Sequence, residues 1–288
     1  MGWGFDGKPS KQWIPKPGHC KLRVTRQDAD EMVRLRRQVL VAILARNQAS
    51  LLPLYLACIE AQDYPKKRIH LWIRTNNNRD NTAEILEQWI GRVGSLYRGV
   101  TFDRSDMPVA IDDLGKHVWS PARFAALNPI RQASLVATLS HGCDAYFVSD
   151  CDNFLRPWTL PDMVARMDCG IQAPLLRCVD PDHATYSNYH ADIDDRGWFR
   201  NCPLYWDLFE GRVARSIVPV VHCTYLVPGE YIPVLYYQRG DYDGRYDYVV
   251  FSESARAARV PQWINGDRDY GYLTFGDDPA PVIRALGD

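Results

Sequence analysis

No Cys-x-x-Cys pair, no excess of charge of one sign and no long hydrophobic run occurs in this chain, and each absence removes a class of protein. Its eight cysteines form no Cys/His cluster with zinc spacing, which argues against a disulfide scaffold or a structural zinc site. Cys58, Cys143 and Cys178 stand in or beside apolar runs and read as buried thiols. The formal net charge is −1, so no overall positive field points to nucleic acid or anionic lipid. The small cluster at Arg34, Arg36 and Arg37 fits a solvated helix face. No apolar stretch is long enough to span a bilayer, and Met1-Gly2-Trp3-Gly4-Phe5-Asp6 lacks the charged-then-apolar order of a signal peptide. The expectation is a reduced, cytoplasmic protein without a transmembrane segment or a nucleic-acid partner. Internal repeats and low-complexity stretches are also missing.

What is present suggests an α/β protein with ample apolar content for a core in its 288 residues. Residues 1–36 are aromatic, basic and punctuated by Pro9, Pro15, Pro17 and Gly18, an arm expected to pack through Trp3, Phe5 and Trp13, with a short helix from Asp28. Residues 37–288 read as one domain, with a donor-binding half at 37–155 and an acceptor and catalytic half at 156–288. Val39 to Ala45 is a continuous apolar run, as expected of a strand covered on both faces. A helix over Leu51 to Ile59 and a strand over Ile69 to Ile73 follow. Asn81 and Glu84 have capping-box spacing before a helix whose face is Ile85, Leu86, Trp89, Ile90 and Val93. Val100 to Phe102 can supply a third strand. Asn128-Pro129 reads as cap and first-turn proline of a helix stopped by Gly142. Strand and helix thus alternate, which implies a mostly parallel sheet with helices on both faces. Later, Ile171 to Leu176 and Val218 to Val227 look like strands and Tyr246 to Ala258 like an amphipathic helix, in a half that is otherwise irregular.

The run Ala145-Tyr146-Phe147-Val148-Ser149-Asp150-Cys151-Asp152-Asn153 carries the chemistry. An apolar strand ends in two carboxylates one residue apart, and extended backbone puts such side chains on the same side. They converge where open α/β sheets bind ligands. Two close carboxylates repel, and a hard divalent cation with oxygen ligands relieves that. An ordinary solvated turn is the alternative.

Several blocks in collinear order resemble the N-terminal glycosyltransferase domain of the procollagen galactosyltransferases and its single-domain bacterial relatives. They are Val41-Ala42-Ile43-Leu44-Ala45-Arg46-Asn47, Leu71-Trp72-Ile73, Asp80 to Leu86, Trp119 to Phe124, Arg131-Gln132-Ala133 and Asp150-Cys151-Asp152-Asn153. Tyr186 to Tyr189, Pro219 to Leu226 and Tyr270 to Leu273 continue the match to about residue 275. The resemblance implies a GT-A fold, an Asp-x-Asp metal site, Mn2+ or Mg2+ as the ion and a UDP-sugar as donor substrate, with galactose suggested by the animal members. The acceptor, whether glycan, lipid-linked or protein, is not readable. One departure is visible at Tyr246-Asp247-Tyr248, where the animal proteins carry two adjacent acids and this chain carries one.

Within that frame Asp152 is expected to bind the metal directly, with Asp150 acting through water or on the donor ribose. His222, at the end of an apolar strand, is a candidate third ligand, or a satisfied core histidine. Arg46, Asn47, Thr75 and Asn77 end the first two strands, where they can read uracil and ribose or simply serve turns. Arg131 can approach the diphosphate or pair with Asp150, and Lys116 and His117 lie in a loop that can cover the donor. An inverting transferase needs a carboxylate base against the acceptor hydroxyl; Asp247 is the first choice, then Asp243 and Asp241. Tyr186, Tyr189, Trp198, Phe199, Tyr205 and Trp206 serve sugar stacking or the core. The competing functions are a transferase-like binding module without turnover and a nucleotidyltransferase. The latter is disfavoured because Arg46-Asn47-Gln48-Ala49 has no glycine-rich phosphate loop.

Overall fold

The structure is a computed structural model describing residues 36–108, 118, 120–238, 240 and 244–287. The N-terminal arm with its expected helix, Lys116, His117, Asp241 and Asp243 lie outside the described residues. The fold is that of the unit Arg34–Asp288.

The first half builds as the apolar pattern requires. Strand β1 (Val39–Ala45) is a fully apolar run, followed by α1 (Leu52–Glu60), β2 (Ile69–Thr75), α2 (Thr82–Val93) and β3 (Gly99–Asp103). Helix α3 (Pro121–Ser140) leads to β4 (Ala145–Ser149). Then come β5 (Asn153–Leu155), α4 (Thr159–Ala165), β6 (Ile171–Pro174), β7 (Arg177–Cys178), β8 (Tyr189–His190) and α5 (Pro203–Phe209). The chain closes with β9 (Arg215–Ile217), β10 (Val220–Val221), β11 (Thr224–Pro228), α6 (Asp247–Ala257), β12 (Gln262–Asn265), β13 (Gly271–Leu273) and α7 (Ala280–Gly287).

The main sheet runs β3-β2-β1-β4-β11-β6-β12-β9. Its first four strands are parallel, β11 and β9 run the other way, and β6 and β12 return to the first direction. Two small sheets, β10-β8 and β5-β13-β7, flank it. Alternation along β1 divides the core. Val39, Val41, Ile43 and Ala45 pack with Leu52, Tyr55, Leu86 and Trp89 of the first two helices. Leu40 and Ala42 pack on the opposite face with Leu135 of α3 and Phe251 of α6. Both faces are thus covered, which is why β1 tolerates no polar residue.

Three local expectations need correction. Helix α3 begins seven residues before Asn128, at Pro121; Ser120 caps it by accepting from the Arg123 N–H at 3.3 Å. Ser-Pro is as good a start signal as Asn-Pro, and Pro129 therefore sits inside the helix, where it removes one backbone bond. Asn81 makes no side-chain cap on α2; Asp80 instead accepts from the Thr82 N–H at 3.0 Å. The expected strand Val218 to Val227 is two strands in two sheets, broken at Cys223 with φ +63°. Apolar periodicity cannot see such a kink.

Candidate active site

Because β1, β2 and β4 are parallel, the segments following Ala45, Thr75 and Ser149 emerge along one edge of the sheet. Asp150, Cys151 and Asp152 follow the β4 end. The Asp150 N–H donates to the Cys223 carbonyl at 3.0 Å, and the Asp152 carbonyl accepts from the Thr274 N–H at 3.1 Å. The acidic turn is therefore tied by its main chain to the second half of the molecule on both sides. Beneath it, buried polar groups are paired: Ser149 Oγ with Thr224 Oγ1 at 3.0 Å, Asn153 Nδ2 donating to the same hydroxyl at 2.8 Å, and Tyr55 Oη donating to the Ser149 carbonyl at 2.9 Å. These pairings leave no sign in the sequence, since single Ser, Thr, Asn and Tyr residues in separate elements share no spacing.

Arg131, on α3, donates from Nη2 to Asp150 Oδ1 at 2.8 Å. Its Nε lies 2.6 Å from Asp247 Oδ2 but is not aligned as a hydrogen bond. Asp247 occupies the first turn of α6 and its side chain is 8% exposed. Burial raises the Asp247 carboxyl above its ordinary value; the Arg131 guanidinium opposes this and the Asp150 charge adds to it. Asp150, by contrast, is 27% exposed. Of the alternatives open for Arg131, the structure places it on Asp150.

His222 lies between β10 and β11 and is buried. Its ring stands 4.7 Å from Tyr248, 5.4 Å from His190 and 5.9 Å from Tyr186, while Nδ1 is 3.0 Å from Cys223 Sγ. Burial, aided by His190 and Arg131, holds its imidazole well below the ordinary value. The ring is therefore neutral at physiological pH, the state a metal ligand requires. Asp150 and Asp152 supply hard oxygen donors on one short turn. That donor set suits a small divalent cation held by one or two carboxylates, with its other positions left to phosphate and water. Among the described residues, no three His, Cys, Asp or Glu side chains close into a metal cage of their own.

The strand-end residues are engaged with each other. Asn47 (φ +52°) accepts from the Arg79 N–H at 2.8 Å. Asn77 (φ +46°) accepts from the Met107 N–H at 3.0 Å and donates to the Met107 carbonyl at 3.2 Å. Thr75 Oγ1 accepts from Asn78 Nδ2 at 2.6 Å, and Arg46 Nε donates to the Asn77 carbonyl at 3.3 Å. Asp106, which sequence reasoning passed over, accepts from the Asn77 N–H at 2.6 Å. These side chains lock three loops together, a role that the left-handed backbone of both asparagines explains.

The aromatics divide. Tyr189 and Tyr205 are buried and stacked at 4.9 Å, as core. Tyr186 and Trp198 are half-buried, the latter edge-on to Tyr246 at 4.9 Å, and Phe199 is 47% exposed. Tyr186 stands beside His222 at 5.9 Å, and Phe199 stands at 5.5 Å from His190, which itself faces His222.

Known proteins are similar to this chain in sequence and in fold. Residues 36–283 match the family described as "Glycosyltransferase family 25, N-terminal domain". Human procollagen galactosyltransferase 2 is 35% identical over 254 residues, covering 85% of this chain and 40% of the human protein. The human inactive glycosyltransferase 25 family member 3 is 30% identical over 243 residues, covering 82% of this chain and 40% of that one. The chain thus spans about 40% of the length of these curated relatives. Among solved structures, GalNAc-T7 with UDP, GalNAc and Mn2+ superposes with a TM-score of 0.53 at 13% identity, over 83% of this chain and 43% of that one. The mostly parallel sheet flanked by helices is the GT-A fold.

Proposed function

The chain belongs to glycosyltransferase family 25, and from that premise we propose that it is an active, metal-dependent transferase moving a sugar from a UDP-sugar to a hydroxyl acceptor. The observation that carries this reading is the pair Asp150 and Asp152 at the β4 exit, held by main-chain bonds yet open enough at Asp150 to meet a ligand. Asp152 is the direct ligand in this reading, Asp150 acts through water or on the donor ribose, and neutral His222 is the further nitrogen donor. A bound Mn2+ would supply Lewis-acid stabilisation of the leaving diphosphate. The GalNAc-T7 structure was solved with UDP and Mn2+, which supports this donor and ion.

In the reaction the acceptor oxygen attacks the anomeric carbon, the bond to UDP breaks, and a carboxylate takes the hydroxyl proton. Asp247 is our choice for that base in an inverting displacement: burial raises its carboxyl above the ordinary value, which makes it a better proton acceptor than an exposed carboxylate. Galactose is the first sugar to test and a protein-borne hydroxyl the first acceptor, since both classes stand in the name of the human relative. Glycan and lipid-linked acceptors come next.

A second reading, a binding module without turnover, is favoured by the 30% identity to an inactive human family member. Calorimetric titration of UDP with Mn2+ and with a chelator, followed by hydrolysis of a UDP-sugar panel, separates the two. Mn2+-dependent UDP binding with turnover is expected. Equal UDP affinity in both conditions would refute the metal site, and binding without hydrolysis or transfer would establish the second reading.

A further inference from the structure

One guanidinium touches two carboxylates that the proposed reaction uses on different sides. Asp150 comes from the exit of β4, Asp247 from the first turn of α6, and Arg131 from the middle of α3. Arg131 Nη2 holds Asp150 Oδ1 at 2.8 Å, and Nε lies 2.6 Å from Asp247 Oδ2. The Arg131 and Asp247 side chains are both buried. Taking such charges out of water is costly, and leaving either carboxylate without the cation would be more so. Without Arg131 the two acids would also repel each other.

The cation itself is backed by a fixed wall. The Tyr237 ring lies 6.0 Å from the Arg131 guanidinium. The Tyr237 N–H donates to Gln132 Oε1 at 3.0 Å, and its hydroxyl pairs with that of Tyr225. Asp150 is meanwhile fixed at its main chain through Cys223. With Oδ1 committed to Arg131, Oδ2 is the oxygen left to a metal, its water or the donor.

We propose that Arg131 is a positioning residue that sets Asp150 and Asp247 in one register, so that a single side chain aligns the carboxylate serving the donor and its metal with the carboxylate serving the acceptor. This rests on the metal and donor reading given above. The role suits arginine: its broad planar cation bonds Asp150 through Nη2 while Nε stays in ion-pair contact with Asp247, whereas a lysine ammonium is one flexible point charge. It follows that a change at Asp247 reaches the metal through Arg131. In Asp247→Asn the guanidinium loses one anionic partner and bears wholly on Asp150, competing with the metal for that carboxylate.

The test is a double-mutant cycle read in binding. Mn2+ is titrated into UDP-saturated wild type, Asp247→Asn, Arg131→Lys and the double variant, with near-ultraviolet circular dichroism as the check of folding. Asp247→Asn is expected to weaken Mn2+ binding about 5-fold or more in the wild-type background and less than about 2-fold in the Arg131→Lys background, coupling of the size seen between groups in one network. A purely structural role for Arg131 would leave the two effects equal, and that result overturns the proposal. If Arg131→Lys does not fold, Arg131→Gln takes its place in the cycle. Wild type that shows the coupling but transfers sugar from no UDP donor refutes the transferase reading and leaves the positioning role standing. Wild type that binds no Mn2+ in the presence of UDP overturns both.

Discussion

Lowering the pH should destabilise this protein through His190, by an amount that the structure allows to be worked out. The ring is buried against Phe199, His222 and Tyr248, at 5.5, 5.4 and 5.7 Å. Its Nδ1 has no hydrogen-bond partner among the described residues. Burial chiefly pushes the imidazole down to about 4, with Arg256 adding to the shift and a bond to the Gly197 carbonyl opposing it. In the unfolded chain the same group titrates near 6.5, about its ordinary value. The folded value lies below the unfolded one, so the unfolded state takes up the proton first. Stability from a neutral His190 is therefore complete above about 6.5 and is lost as pH falls from there towards 4. At pH 5 the unfolded group is almost wholly protonated and the folded one mostly neutral, a difference of about 2 kcal/mol; at pH 7.5 it is close to nothing. His190→Gln removes the titration. Urea unfolding of both proteins at pH 7.5 and pH 5 is the assay, and wild type should lose about 2 kcal/mol more than the variant between the two. His70, also held at about 4 by burial beside His141 and Arg98, titrates alike in both proteins and cancels. Parallel losses in the two proteins would refute the reasoning.

Asp152→Asn should abolish transfer, and weaken Mn2+ binding in the presence of UDP, while leaving the thermal midpoint near that of wild type, because it removes ligand charge and keeps shape; retained transfer would refute its role as the direct ligand. Gly271→Ala should destabilise the fold by about 2–4 kcal/mol in urea unfolding, since Gly271 has φ +130° and an added Cβ would stand 2.1 Å from the Phe154 carbonyl oxygen.

The parts of the fold legible in the sequence are those whose cause is local. Val39–Ala45 is a strand because nothing polar survives between two helical layers, and the buried face of α2 follows from the spacing of Leu86, Trp89 and Val93. The start of α3 is not legible because two Xaa-Pro signals compete and the choice depends on tertiary packing, in which Phe124 stacks on Tyr246 at 5.0 Å. In the site, the twin carboxylates announce themselves by spacing. The Arg131–Asp247 contact does not: it joins residues from separate elements, and no periodicity relates them. Asn47, Thr75 and Asn77 illustrate the converse, since residues that suit a nucleotide equally suit a turn, and here their side chains hold loops.

Cys223 constrains what can be exchanged between relatives. Its left-handed backbone (φ +63°) lets Val220 and Val221 pair in one sheet while Thr224, the residue after it, begins β11 in another, with its carbonyl turned to the Asp150 N–H. A β-branched residue there resists that conformation and favours one unbroken strand, which would carry His222 away from its aromatic neighbours and withdraw the acceptor from Asp150. Chimeras that graft a foreign second half onto this first half should therefore keep cysteine, asparagine or glycine at the position of Cys223. A splice that puts valine or isoleucine there would disable the donor half even if every donor residue were native.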